Sequence, residues 1–149
     1  MEEDFVIVSA NTRFLREMYK MELECFTNPW TQSFLRQQVM GERRLTLAAV
    51  NSEGQLLGYA GLMYALDEGH IVTVAVSPAA RRRGIASALV GEILDLGLDI
   101  GLTRMYLEVR ESNTPAQTLY KKLGFKVDGR RPGYYDNPVE DAILMTCYI

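Results

Sequence analysis

The sequence holds only two cysteines, Cys25 and Cys147, and a single histidine, His70, so it cannot furnish a four-ligand Cys/His zinc site, and no metal is expected. The two cysteines lie far apart in the chain and are expected to be buried free thiols. No apolar run approaches the roughly 18 residues of a membrane span. The start, Met1-Glu2-Glu3-Asp4, is acidic where a secretory signal is basic, so a cytoplasmic protein without a membrane partner is expected. The patterns Gly-x-Ser-x-Gly, Gly-x-x-x-x-Gly-Lys and Gly-x-Gly-x-x-Gly are missing, which removes the anchors of α/β-hydrolase, P-loop and dinucleotide-binding chemistry. Repeats and low-complexity segments are missing too. An excess of positive charge is also lacking: a net charge of −3 argues against nucleic acid as a direct partner.

What is present is an ordinary globular composition, with 48% hydrophobic and 23% charged residues in a chain of 149. That length suits one domain over 1–149, able to bury about 70% of its unfolded surface. Residues 5–8 read as a strand. Thr12 can cap a helix whose Leu15, Met18, Tyr19, Leu23 and Phe26 share one face, until Thr27-Asn28-Pro29-Trp30 breaks it. Thr31 can cap a second short helix carrying Phe34, Leu35 and Val39. Residues 45–50 and 56–64 pair as a hairpin across Asn51-Ser52-Glu53-Gly54. The near-continuous apolar run 71–76 predicts a strand covered on both faces.

The most informative stretch follows that strand: Ser77-Pro78-Ala79-Ala80-Arg81-Arg82-Arg83-Gly84-Ile85-Ala86-Ser87. A helix N-terminus presents unpaired N–H groups and a partial positive charge; a glycine there lets an anion approach the backbone, and flanking arginines strengthen the grip. The segment reads as a diphosphate cradle opening a helix over about 84–98, with Ile85, Leu89, Ile93 and Leu96 on its buried stripe. In the strand 105–110, Met105, Leu107 and Val109 point one way and Tyr106, Glu108 and Arg110 the other. Thr114 is expected to cap a further helix with Pro115 at its first position. Gly124 suits the left-handed residue that closes it, with Phe125 folding back on Tyr120. Residues 142–148 supply a last strand. The sum is a single mixed α/β sheet with helices on both faces.

The spacing Arg81-x-x-Gly84-x-Ala86 resembles the (Gln/Arg)-x-x-Gly-x-(Gly/Ala) signature of the GNAT superfamily of acetyl-CoA-dependent N-acetyltransferases. Around it, in order, stand Phe26-x-x-Pro29-Trp30, Gly69-His70-Ile71-Val72-Thr73-Val74-Ala75-Val76, Leu107-Glu108-Val109-Arg110-Glu111-Ser112-Asn113, Leu119-Tyr120-Lys121-Lys122-Leu123-Gly124-Phe125 and Gly133-Tyr134-Tyr135 through Glu140-Asp141-Ala142. Together these look like the protein N-terminal acetyltransferases, of both the bacterial ribosomal-protein alanine type and the Ard1 type. The likeness spans nearly the whole chain, and Gly69-His70 and Gly133-Tyr134-Tyr135 lean toward Ard1.

The resemblance implies a GNAT fold with splayed fourth and fifth strands and acetyl-CoA as cosubstrate. It implies pantetheine held on Val74, Ala75 and Val76, the pyrophosphate on Arg81, Arg82, Arg83, Gly84, Ile85, Ala86 and Ser87, and a cofactor contact from Asn113. Glu108 matches the general base, Tyr120 the acid that protonates the departing sulfur, and His70 a water-relayed helper to Glu108. Phe26, Pro29, Trp30, Tyr134 and Tyr135 match the walls that grip a peptide. The implied activity is acetylation of protein N-termini beginning with Ser, Ala, Thr or Met, ribosomal proteins among them, by a monomer or dimer. One departure touches the terminal-residue preference: Thr27-Asn28-Pro29-Trp30 lacks the carboxylate that archaeal Ard1 proteins often place in that loop. Two alternatives stay open, a GNAT enzyme acting on a small amine, polyamine or lysine, and a non-catalytic acyl-CoA-sensing module. The presence of Glu108, Tyr120 and the whole cradle speaks against the module.

Overall fold

Capping side chains mark where three of the helical turns begin. The computed structural model describes residues 4–149, so Met1, Glu2 and Glu3 of the acidic start lie outside the described residues. After strand β1 (Phe5–Ser9), the cap is Asn11 and not Thr12: its Oδ1 accepts the Arg13 N–H at 3.0 Å, and a 3-10 turn Thr12–Phe14 leads into α1 (Leu15–Cys25). Thr31 caps α2 (Gln32–Met40) as expected, accepting from the Phe34 N–H at 3.2 Å. On α1 the buried residues are Met18, Met21 and Glu22, whereas Leu23 is 55% exposed. Five residues turn a helix by roughly 500°, which sets Leu23 about 140° from Met18, so the two cannot share a face. Phe26 and Phe34 are likewise exposed, while Leu35 and Gln38 carry the buried side of α2.

The hairpin forms from β2 (Arg44–Asn51) and β3 (Leu56–Ala65), and β4 (Glu68–Val76) starts three residues before its apolar run. Then come α3 (Ile85–Asp99), β5 (Arg104–Arg110), α4 (Thr114–Lys122), β6 (Lys126–Tyr135) and β7 (Glu140–Tyr148). Asn113, and not Thr114, caps α4: its Oδ1 accepts the Ala116 N–H at 3.2 Å, which moves Pro115 one place into the first turn. The helix closes as expected. Gly124 is left-handed at φ +102°, the Phe125 N–H donates to Tyr120 O at 3.0 Å, the Gly124 N–H donates to Lys121 O at 3.1 Å, and the Tyr120 and Phe125 rings meet edge-on at 5.9 Å.

One seven-stranded mixed sheet has the order β1-β2-β3-β4-β5-β7-β6, antiparallel except for the β4–β5 pair. Strand β6 escaped the sequence pattern because its residues are almost all exposed and include Gly129, Pro132 and Gly133, so no apolar alternation marks it; such residues are tolerated on a sheet edge. Alternation along β2 feeds two cores. Leu47 and Ala49 face α3 and α4 with Ile85, Leu89, Ile93, Tyr120 and Phe125. Ala48 and Val50 face α1 and α2 with Phe14, Met18, Met21 and Leu35. Each fully buried Leu, Ile or Phe contributes roughly 1.5–3 kcal/mol relative to exposure. Among the described residues no helix is long and apolar enough to cross a membrane.

Strands β4 and β5 pair only at Glu68 with Arg104, Gly69 with Met105 and His70 with Tyr106. Beyond His70 they part, and residues 107–110 of β5 pair with β7 alone. This corrects the expectation for the run 71–76: Ile71 and Ala75 are buried, but Val72, Thr73, Val74 and Val76 are only half-buried, because on the β5 side an opening takes the place of a packed neighbour.

Candidate active site

Where β4 and β5 part, a cleft of about 360 Å³ opens. Val72, Thr73 and Val74 of β4 form one side, and Glu108, Val109 and Arg110 of β5 the other. Tyr120 and the cap residue Asn113 also line it, as do Glu22, Cys25, Phe26, Thr27, Asn28 and Trp30 from the C-terminal turn of α1 and its loop, and Tyr135. Of the residues singled out in the sequence, Glu108, Tyr120, Val74, Asn113, Phe26, Trp30 and Tyr135 thus meet on one cleft. Pro29 and Tyr134 are not among its lining; Tyr134 is 47% exposed and meets the Tyr135 ring edge-on at 5.0 Å.

Glu108 sits on the opposite face of β5 from the buried Met105, Leu107 and Val109, as the alternation requires. Its side chain is 9% exposed, and its Oε2 lies 2.6 Å from His70 Nε2. The contact is direct, with no water needed between the two. The His70 ring stacks on Tyr106, with centroids 4.4 Å apart and planes 11° from parallel, and its side chain remains 27% exposed. A carboxylate backed by an imidazole that reaches solvent can take up a proton inside the cleft and pass it out. Tyr120 is nearly buried on the far side, and burial pushes its phenol up to about 12, so its hydroxyl keeps its proton at neutral pH and can act as a donor.

The cradle lies beyond the β4 end of the cleft. The chain runs from Val76 through Arg81 to Gly84 with left-handed backbone at Arg82 (φ +67°) and Gly84 (φ +76°), and α3 begins without a side-chain cap. A Cβ on Gly84 would meet nothing within 4 Å, so the backbone is open to approach at the residue where α3 starts. A diphosphate fits such an opening. The side chains of Ile85 and Ala75 are buried in the two cores, so these residues can offer a ligand only their backbone. Arg81 folds back: its Nε donates to Val76 O at 3.4 Å and its Nη2 lies 3.7 Å from Cys25 Sγ. Arg83 donates to Ala79 O at 3.5 Å. Cys25 is half-buried on the cleft and not buried as expected, since it ends α1 beside the opening; burial still pushes its thiol up despite the nearby guanidinium. Cys147 is buried.

Two further side chains shape the site. Glu22 is 1% exposed, its Oε1 accepts the Trp30 N–H at 2.8 Å, its Oε2 accepts the Tyr59 hydroxyl, and burial holds its carboxyl above the usual carboxylate range. It stands four residues after Met18 on the buried stripe of α1, a misplaced charge visible in the helical spacing. Arg110 shares the Glu108 face of β5, and its bonds run to residues 26 to 30 positions later and 83 earlier, which no local pattern announces.

A family model described as Acetyltransferase (GNAT) family matches residues 15–125. A putative [ribosomal protein bS18]-alanine N-acetyltransferase of Bacillus subtilis is 33% identical over 128 residues, covering 86% of this chain and 85% of that protein. The crystal structure of the ribosomal-protein-S18-alanine N-acetyltransferase from Escherichia coli superposes with a TM-score of 0.90 at 32% identity, over 98% of this chain and 94% of the other. That of Ard1 from Thermoplasma volcanium gives 0.88 at 25% identity, over 97% of both chains.

Proposed function

The chain belongs to the GNAT family and is an N-acetyltransferase that uses acetyl-CoA; from that premise we propose that its acceptor is the N-terminal α-amine of a protein. The observation that carries the reading is the seating of Glu108, in the cleft where β4 and β5 part and 2.6 Å from His70. An α-amine near pKa 7.8 is roughly a tenth neutral at pH 7, whereas a lysine near 10.4 is neutral at only about 0.04%, a gap of ~3.5 kcal/mol in deprotonation alone. A lone carboxylate with one imidazole behind it is suited to the less demanding amine.

In this reading Glu108 takes the proton from the attacking amine and His70, still 27% exposed, passes it to water. Tyr120 gives its proton to the departing sulfur and regains one from water as the thiol leaves. The backbone of Val74, Ala75 and Val76 holds the pantetheine, and Arg81, Arg82, Arg83, Gly84 and the first turn of α3 hold the pyrophosphate, with Asn113 contributing from the α4 cap. Bound acetyl-CoA supplies the activated acyl group. Phe26, Trp30 and Tyr135 line the side taken to hold the acceptor, and Pro29 and Tyr134 adjoin two of them in the chain. The similar proteins named for the alanine of ribosomal protein bS18 make a ribosomal protein terminus with a small first residue the leading candidate.

The test is a panel of short peptides with free Ala, Ser, Thr or Met termini and one internal lysine, incubated with acetyl-CoA and mapped by mass spectrometry. Acetyl on the α-amine, and little on the lysine of an N-terminally blocked control, is expected. Modification mainly of lysine, or turnover of polyamines but of no peptide, would overturn the reading.

A further inference from the structure

We propose that Arg110 is a positioning residue that ties the two loops walling the acceptor end of the cleft into one arch, and so governs how firmly an acceptor is held; this rests on the assignment of that end of the cleft to the acceptor. Its guanidinium reaches both loops at once. Nη2 donates to Asp136 O at 2.7 Å in the β6–β7 connection and to Thr27 Oγ1 at 3.4 Å in the α1–α2 loop. Nη1 donates to Pro138 O at 3.0 Å and to Glu140 Oε1 at 3.2 Å. Its face lies 4.5 Å over the Tyr135 ring. The loops also meet directly, Asn28 Nδ2 donating to Asp136 O at 3.3 Å and Asn137 Nδ2 to Asn28 Oδ1 at 3.2 Å. The second Glu140 oxygen accepts the Ser112 N–H, which anchors the arch to the turn after β5; the Ser112 side chain, that backbone bond and the arginine together hold the Glu140 carboxyl below the usual range.

The chemistry asks for arginine. A planar fork of five donors can serve acceptors on several segments together, whereas an ammonium offers three donors clustered at one point on a flexible stem. The placement matters as well. Arg110 stands two residues beyond Glu108 on the same face of a paired strand, so the arch is fixed roughly 7 Å along β5 from the base. Loops are ordinarily the least stable parts of a domain; fastening these two to a core strand orders the acceptor walls before an acceptor arrives. Loosening the arch therefore weakens acceptor binding more than the proton transfer at Glu108.

The experiment compares wild type with R110Q, R110K and N28A, measuring kcat and KM for an Ala-first peptide and for spermidine, the thermal shift with acetyl-CoA, and hydrogen exchange of residues 133–141. R110Q is expected to raise the acceptor KM ~10-fold with kcat changed less than about threefold, to speed exchange across 133–141, and to leave the acetyl-CoA shift intact. R110K should not rescue. N28A, which cuts the loop-to-loop bonds and also trims the cleft lining, is read by exchange: it should speed exchange across 133–141 by less than R110Q does, and it supplies the readout if R110Q does not fold. Unchanged KM and exchange in these variants, or full rescue by lysine, would overturn the arch. A wild type that turns over spermidine alone, with KM and exchange still raised by R110Q, would retire the peptide reading and keep the arch.

Discussion

At the end of the cleft proposed to hold the acceptor, Arg110, Glu140, Asn28 and Glu22 are bonded into the surrounding loops, so the walls are joined to β5 and to the core. At the phosphate end, by contrast, α3 starts with no side-chain cap, Arg81, Arg82 and Gly84 are exposed, and the chain turns through two left-handed residues, with the backbone open to approach where the helix starts. The contrast separates two ways of making a binding site. The proposed acceptor end is organised in advance, which favours geometry-sensitive proton transfer; at the proposed phosphate end the first backbone N–H groups of α3 have no side-chain cap, so an anion's charge can complete the helix terminus.

The largest effect should come from the two groups proposed to move protons in the cleft. Glu108→Gln is expected to lower kcat by roughly 10² to 10⁴ while leaving the acetyl-CoA-induced rise in Tm in place, and Tyr120→Phe to act similarly. Loss of that rise in either variant would break the separation of the two ends. At the phosphate end, Gly84→Asp should abolish the rise, a loss of about 2.7 kcal/mol with acetyl-CoA at ~100 times its Kd. Gly84→Ala sharpens this, because it shares the cost of a left-handed backbone, roughly 1–2 kcal/mol, without the charge: its Tm should fall while the rise survives. A Gly84→Asp protein that responds like its parent would remove the cradle.

His70→Ala should reduce turnover less than Glu108→Gln, since the imidazole touches the carboxylate and not the cleft. Equal losses would make the pair a single unit. The smallest effect concerns Glu22. Its folded-state proton affinity is raised by burial, so its contribution to stability is fully present below its usual value near 4.5 and is lost as pH rises through the higher folded value. Glu22→Gln keeps an acceptor for the Trp30 N–H without that charge, so denaturant unfolding should show the variant gaining on wild type as pH rises from 4.5. Parallel stability profiles would contradict the burial argument.

The phosphate end was the more legible from sequence because its signals are local. A strand, three arginines and a glycine at a helix start sit within seventeen residues of chain, 71–87, and the alternation along 105–110 already set Glu108 apart from the core. Thr31, Gly124 and Phe125 act where their chemistry placed them, and the caps missed by one residue, Asn11 for Thr12 and Asn113 for Thr114, fell to a preceding asparagine, which caps more strongly than threonine. The arch was not legible. Thr27, Arg110 and Asp136 are distant in sequence, and β6, which brings the last of them to the cleft, carries no apolar period. The half-open face of β4 was misread for a related reason: an apolar run reports what a strand can be covered by, and here one side faces a cleft.

Hydrogen exchange with and without acetyl-CoA tests the contrast between the two ends most directly. The prediction is that exchange slows at Ile85, Ala86 and Ser87 and at the cleft-facing amides among 72–76, while residues 26–30 and 133–141 change little because they are already bonded. Slowing concentrated in 133–141 with the start of α3 unchanged would contradict it.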